Sequence, residues 1–436
     1  MDIISRTRAP VPPDVLRARF GAALSDMYRA EVPLYGALLE LVGAINAGVL
    51  AQGGIAPVER HRLSEERHGA IRLGTPAELR AIARAFAVLG MVPVGYYDLA
   101  PAGLPVHSTA FRPITRAGLD ASPFRVFTSL LRLDQIHPPQ LAAEAAAILA
   151  ARDILTEHAK ALIVRAEQTG GLDETEAQAF VEALLETFRW HNEARVDAEV
   201  YRALVAAHGL VADVVSFRGP HINHLTPRVL DIDAAQVRMQ AGGFHPKAVI
   251  EGPPARACPI LLRQTSFRAL DEKVCFPAPG GGSTAGVHTA RFGEIEQRGL
   301  ALTREGRARY DRWVADGGDL TALLPDDETV LRREGLAYFR YEATDGEDDL
   351  AGVDIEALVA SGGVVPTPIT YEDFLPVSAA GIFRSNLGAE QAAPTGVSTG
   401  DRDALEAAIG RPILDEFALY AQEQTRSLAG RLHTPA

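Results

Sequence analysis

"PHINHLTPRVLDID", residues 220–233, sets two histidines, an asparagine, an arginine and two aspartates into a run whose apolar positions favour a β-strand. A second stretch gives it meaning. "RHGAIRLGTPAELRAIARAFAVLGMVPVGYYDL", from Arg67, shares its order with "NHLTPRVLDIDAAQVRMQAGGFHPKAVIEGPP", from Asn223: a His-bearing strand, a turn, a helical stretch, then Gly and another apolar strand. In both, an Arg follows the His by four residues, as His68 with Arg72 and His224 with Arg228. Strand side chains alternate faces, so residues i and i+4 point the same way and each strand offers a His and an Arg to one side.

In the first copy Gly69, Ile71 and Leu73 form one face and His68, Ala70 and Arg72 the other. The apolar face packs; the polar face meets either water or, as the repetition favours, a shared site. "HTARFGEIEQRG", residues 288–299, alternates so that Phe292, Glu294 and Glu296 share a face. Two neutral imidazoles and a carboxylate on strands, leaving coordination positions open, are the donor set of mononuclear non-haem iron sites. His68, His224 and Glu294 are therefore the candidate metal ligands.

The surroundings are consistent with small-molecule chemistry. The chain has 436 residues, 47% hydrophobic, with a formal net charge of −13, which argues against a nucleic-acid or anionic-membrane partner. Cys258 and Cys275 are the only cysteines and form no CxxC pair, so buried thiols in a reducing, cytoplasmic compartment are expected. No signal-peptide core or uninterrupted apolar run near 18 residues stands out. Residues 1–60 read as an N-terminal helical segment, 61–135 as a first β half and 136–210 as an Ala-rich helical insertion or lid-like layer. Gly170 and Gly171 end one helix of that insertion, and Asp173 caps the next. Residues 211–300 read as a second β half and 301–436 as a C-terminal α/β and loop segment closing on a helix from Asp401, all one integrated catalytic unit.

The duplicated order resembles the vicinal-oxygen-chelate superfamily, whose βαβββ modules pair into a cupped sheet around a metal. That implies an α+β fold with a mixed sheet and added N-terminal, inserted and C-terminal helices. "FGEIEQR" is similar to the closing strand that supplies the glutamate ligand in 4-hydroxyphenylpyruvate dioxygenases, a match that places Glu294 rather than Glu296 on the metal. Together, "RHGAIRLGT", "RGPHINHLTPRVLDID", "LLRQTSFRAL" and "GSTAGVHTARFGEIEQRG" resemble the 2-oxoadipate dioxygenase/decarboxylase (hydroxyglutarate synthase) family along nearly the whole chain. The resemblance implies an Fe(II)-dependent conversion of 2-oxoadipate and O₂ to 2-hydroxyglutarate and CO₂ in lysine breakdown. It also implies a substrate-binding role for Arg72, whose planar fork suits a carboxylate, and for the backbone amides of Val397 and Ser398.

Other positions stay open. Arg228 either repeats Arg72 at the substrate or pairs with Asp231 or Asp233. Gln264 and Ser266 suit a polar pocket wall or a plain sheet edge, and Arg384 is a further carboxylate anchor. His221 is expected to be structural; His288 shares the parity of Glu294 but lies too far along the segment for one metal. A non-redox divalent-metal lyase, epimerase or hydrolase with Glu296 or another carboxylate as base is the competing chemistry, and a non-catalytic metabolite-binding protein the competing class. Substrate chain length and oligomeric state are not written in these motifs.

Overall fold

The computed structural model describes residues 9–53, 57–268, 271–278, 280–289, 291–344, 354–376 and 400–428. They divide into two compact units, Met1–Ile250 with Gln264–Glu296 and Pro376–Ile413, and Glu251–Arg263 with Gln297–Leu375 and Leu414–Ala436.

The first unit is built on β1 (Arg67–Leu73), helix Pro76–Val88, β2 (Val92–Asp98), β3 (Val106–Arg112) and β4 (Arg125–Leu131), a complete βαβββ module. Thr75 starts its helix by accepting from the Glu78 N–H, with Pro76 in the first turn, where a missing N–H costs nothing. With β5 (His224–Pro227) the strands form one mixed sheet in the order β2-β3-β4-β1-β5, β1 running parallel to β4 and antiparallel to β5. β1 is paired on both edges, and both its faces are buried. Ile71 and Leu73 join the hydrophobic core, and His68 and Arg72 are covered on the other side, so the water-facing alternative for that polar face is excluded.

The opening stretch departs from the strand expected of it. Pro227 ends β5, and Asp231 caps helix Ile232–Ala241 by accepting from the Ala234 N–H. The second half then continues through β6 (Leu262–Arg268), β7 (Glu272–Pro277), β8 (Ser283–His288) and β9 (Phe292–Arg298). β7 and β8 form a separate hairpin around Gly280, Gly281 and Gly282, all at positive φ, while β9 pairs with β6. Segment 288–299 is thus two strands, and parity does not carry from His288 to Glu294.

β9 runs beside β5 without joining its sheet. Phe292 N–H donates to the Asn223 carbonyl, 3.2 Å, and Val229 N–H to the Glu296 carbonyl, 2.7 Å. A side chain at Gly293 would lie 1.9 Å from the Phe267 ring, so glycine there lets β6 close over β9. Two N-terminal helices pin this junction. From Pro13–Glu31, the Tyr28 hydroxyl reaches the carbonyls of both Asn223 and Phe292; from Pro33–Ala51, the Asn46 amide bonds the Arg228 carbonyl and accepts from Leu230 N–H. Helix Pro33–Ala51 is long and apolar enough to span a membrane by length and composition, yet it turns Tyr35, Leu38, Val42, Ile45 and Asn46 inward. Burying one such aliphatic side chain contributes about 1.5–3 kcal/mol.

Residues 136–210 carry helices Pro139–Ala150, Glu157–Thr169, Glu174–Phe188 and Ala198–Ala207. Gly170 ends one at φ 74°, and Asp173 with Glu176 forms a capping box on the next. The second unit holds helix Arg304–Asp316, the β10 (Phe339–Ala343) and β11 (Val364–Pro368) pair, and helix Glu416–Leu428. The single closing helix expected from Asp401 is instead two, Arg402–Ile409 and Glu416–Leu428, parted after Gly410 at φ 84°.

Candidate metal centre

Sheet register assembles the site. Ala70 lies opposite His224 and His68 opposite Thr226, so both histidines stand one pleat apart on the same face of the antiparallel β1/β5 pair. β9 brings Glu294 to the same place. One donor atom from each of His68, His224 and Glu294 lies within 4.8 Å of the others, and all three side chains are buried. The imidazole rings meet edge to face, 5.2 Å between centroids.

Each ligand is oriented by a different partner. His224 Nδ1 meets the Thr226 hydroxyl at 2.9 Å, which leaves Nε2 for the site. Burial, with His68 and Arg72 nearby, holds the His224 pKa well below the usual histidine value, so its imidazole is neutral, the form that ligates. His68 lies between two glutamates, with Nε2 3.3 Å from Glu294 Oε1 and Nδ1 2.8 Å from Glu296 Oε2. Burial opposes its protonation, but the two carboxylates outweigh burial and raise its pKa. Gln264 Nε2 donates to Glu294 Oε1 at 2.5 Å, so Gln264 belongs at the site; Ser266 is buried on the same strand face.

Glu294 Oε2 is buried and has no hydrogen-bond partner among the described residues. A carboxylate oxygen shut away from water without a donor is costly, and a cation beside two imidazoles removes that cost. The residues therefore fit a divalent metal held by two nitrogens and one oxygen.

The repeated arginines diverge. Arg72 Nη1 donates to Asp213 Oδ2 at 2.5 Å, and Asp213 Oδ1 accepts from His288 Nε2 at 2.9 Å and lies 3.2 Å from His221 Nε2. Burial alone would raise the Asp213 pKa; His221 and Arg72 instead pull it well below the carboxylate range. His288 is further fixed by the Tyr201 hydroxyl, 2.8 Å from Nδ1, and by stacking on Trp190. His221 and His288 thus meet the same carboxylate. Past β5 the chain turns into a helix that Asp231 caps, and Arg228 Nη1 bonds Glu66 Oε2 at 2.9 Å. Glu66 also accepts from Arg62 and Arg125, and Arg125 reaches Glu296 Oε1 at 3.4 Å. Burial opposes ionisation of Glu66, but the three guanidinium groups hold its pKa well below the carboxylate range.

Arg384, Val397 and Ser398 lie outside the described residues. Asp213, Glu66, Arg125 and Thr226 were not legible as functional. Asp213 did leave a trace, a lone carboxylate in the apolar run "GLVADVVS".

Residues 20–386 match the family described as 2-oxoadipate dioxygenase/decarboxylase. A Pseudomonas putida protein of that name is 55% identical over 96% of both chains, and an Escherichia coli one 52% identical over 95% of this chain and 97% of its own. The crystal structure of the Pseudomonas putida hydroxyglutarate synthase in complex with 2-oxoadipate superposes with a TM-score of 0.85 at 52% identity, covering 96% of this chain and 97% of that one. A glyoxalase-superfamily protein from Ralstonia eutropha, 19% identical over 68% of this chain and 86% of its own, shares the fold at a TM-score of 0.51.

Proposed function

Because the chain belongs to the 2-oxoadipate dioxygenase/decarboxylase family, we propose that it converts 2-oxoadipate and O₂ to 2-hydroxyglutarate and CO₂, with Fe(II) held by His68, His224 and Glu294. The equation balances without a further reductant, since all four electrons that reduce dioxygen come from the 2-oxo acid. The observation that carries the assignment is the partnerless, buried Oε2 of Glu294, a carboxylate grouped with a nitrogen of each of the two histidines. Iron bound there would supply a Lewis-acid and redox centre for a 2-oxo acid and dioxygen.

The chain's own residues bind and orient. Arg72 shares the β1 face with His68 and is buried, so a carboxylate reaching it exchanges water for a guanidinium in a low-dielectric site. Asp213 holds that guanidinium by one nitrogen and, with His221 and His288, fixes its direction. The backbone amides of Val397 and Ser398, with Arg384, remain the proposed anchors for the rest of the diacid. A place in lysine breakdown, in a reducing cytoplasm, accords with the free thiols of Cys258 and Cys275. The non-redox alternative would need a base other than Glu296, which meets His68 and Arg125.

The test is an oxygen-electrode trace with anaerobically prepared protein and Fe(II). One O₂ consumed and one CO₂ released per 2-oxoadipate is expected. Turnover of 2-oxoadipate without oxygen uptake overturns the assignment.

A further inference from the structure

β3 and β4 are joined by a rung of two hydroxyls. Ser108 lies opposite Ser129, and their Oγ atoms are 2.8 Å apart. The neighbouring rungs on that face are apolar, Val106 with Leu131 and Ala110 with Phe127, and both serines are wholly buried. Two hydroxyls bring two protons, and the one bond between them uses a single proton. The other O–H has no acceptor among the described residues. A buried donor without an acceptor is costly, and a pair of alanines would avoid that cost. The rung also stands on the face that carries the candidate metal ligands. Ser129 is the parallel-register partner of Arg72, as Arg125 is of His68, so Ser108, Ser129, Arg72 and His68 point to one side of the sheet, with His224 opposite Ala70 on the same side.

We propose that this rung binds the second carboxylate of the substrate together with Arg72: Ser108 donates to Ser129 Oγ, and the Ser129 hydroxyl donates to the carboxylate. The proposal rests on the 2-oxo diacid reading made above and adds to it the residues that recognise the end remote from the metal centre. Strand order sets the direction of the two bonds. In β3-β4-β1, Ser129 stands one strand from Arg72 and Ser108 two, at ~4.8 Å per strand, so the proton nearer Arg72 is that of Ser129. Arg72 lies four residues past His68 on β1, about 13 Å at ~3.3 Å per residue. A diacid whose 2-oxo end occupies the metal centre therefore meets Arg72 and Ser129 with its other carboxylate. Arg72 alone leaves that carboxylate under-compensated, because Asp213 already accepts from its Nη1 and shares its charge. A hydroxyl supplies a charge-assisted bond without adding a further buried ion. By accepting from Ser108, Ser129 also becomes the stronger donor.

Two ligands separate recognition from packing. Co(II)-loaded protein is titrated anaerobically, by calorimetry, with 2-oxoadipate and with 2-oxohexanoate, which keeps the 2-oxo acid end and the chain length but carries a methyl group in place of the second carboxylate. Ser129→Ala is expected to weaken 2-oxoadipate binding about tenfold or more, the loss of one charge-assisted hydrogen bond, and to change 2-oxohexanoate binding by less than about twofold. Ser108→Ala leaves the Ser129 hydroxyl in place but unoriented, so its loss is smaller. The metal-free double variant is expected to unfold in urea at no lower a midpoint than wild type, since removing both hydroxyls also removes the unmet donor. Unchanged affinity for 2-oxoadipate in Ser129→Ala, which would mean that the remaining O–H meets water, overturns the proposal. So do equal losses for the two ligands, the mark of a packing defect, and a larger loss in Ser108→Ala than in Ser129→Ala. Wild-type Co(II) protein that binds neither 2-oxo acid overturns the functional reading beneath the proposal and the proposal with it, a failure distinct from the others.

Discussion

His68 and His224 occupy matching positions in a repeated His-x-x-x-Arg unit, yet their surroundings have diverged. His68 is backed by a carboxylate anchored in a buried cluster of Arg62, Arg125, Arg228, Glu66 and Glu296. His224 is backed by a neutral threonine hydroxyl. The pKa of His68 is raised despite burial and that of His224 is depressed by it. The arginines diverge the same way, Arg72 turning to Asp213 at the site and Arg228 to Glu66 in the supporting cluster. The two units share a spacing; the residues packed against each set what its histidine and arginine meet.

The largest effects come from removing what the halves share. His224→Ala, like His68→Ala, should bring 2-oxoadipate turnover to background and abolish Co(II) binding, as read by oxygen electrode and calorimetry, since two donors leave an open, weak site. The halves should then separate in stability. Glu66→Ala leaves Arg62, Arg125 and Arg228 facing one another in a buried cluster, and breaking such a set costs about 3–5 kcal/mol. Urea unfolding of metal-free protein should show that loss for Glu66→Ala and less than half of it for His224→Ala. Equal losses would mean the clustered charges do not distinguish the halves.

The candidate ligands could be named because strand periodicity is local. Parity on seven residues placed His68 beside Arg72, and the repeat supplied His224. Their partners could not, because those contacts are tertiary: Asp213 stands 141 residues from Arg72 and Glu66 162 from Arg228. The end of β5 was missed for a physical reason that the sequence does contain. Pro227 removes a ladder donor, and Asp231 precedes Ala234 by the spacing of a helix cap, so the strand had to stop where alternation alone would have carried it on. The division of 288–299 into β8 and β9 likewise needed the hairpin partner, since β8 is defined by its pairing with β7.

A moderate effect probes the substrate side of the first half. Asp213→Asn keeps the shape but can accept from Arg72 or from His288 and His221, not from all three. Loss of a charge-assisted hydrogen bond costs about 1.5–3 kcal/mol. The KM for 2-oxoadipate should therefore rise at least about tenfold, while Co(II) affinity stays within twofold. A matching fall in metal affinity would place Asp213 in service of the ligands rather than of Arg72.

The smallest effect tests the second half on its own terms. Thr226→Val preserves shape and β-branching, which suits the strand, and removes only the hydroxyl at His224 Nδ1. A neutral hydrogen bond contributes about 0.5–1.5 kcal/mol, so Co(II) binding should weaken by less than about tenfold. That is expected to be less than for Glu296→Gln, because a hydroxyl neither charges nor firmly anchors the ring behind it. His224 is also packed against Phe292, 4.5 Å between ring centroids, and this contact survives the substitution. If Thr226→Val lowers metal affinity as much as Glu296→Gln, the two histidines are held equally strongly, and the contrast between a charged and a neutral half has no consequence for the metal.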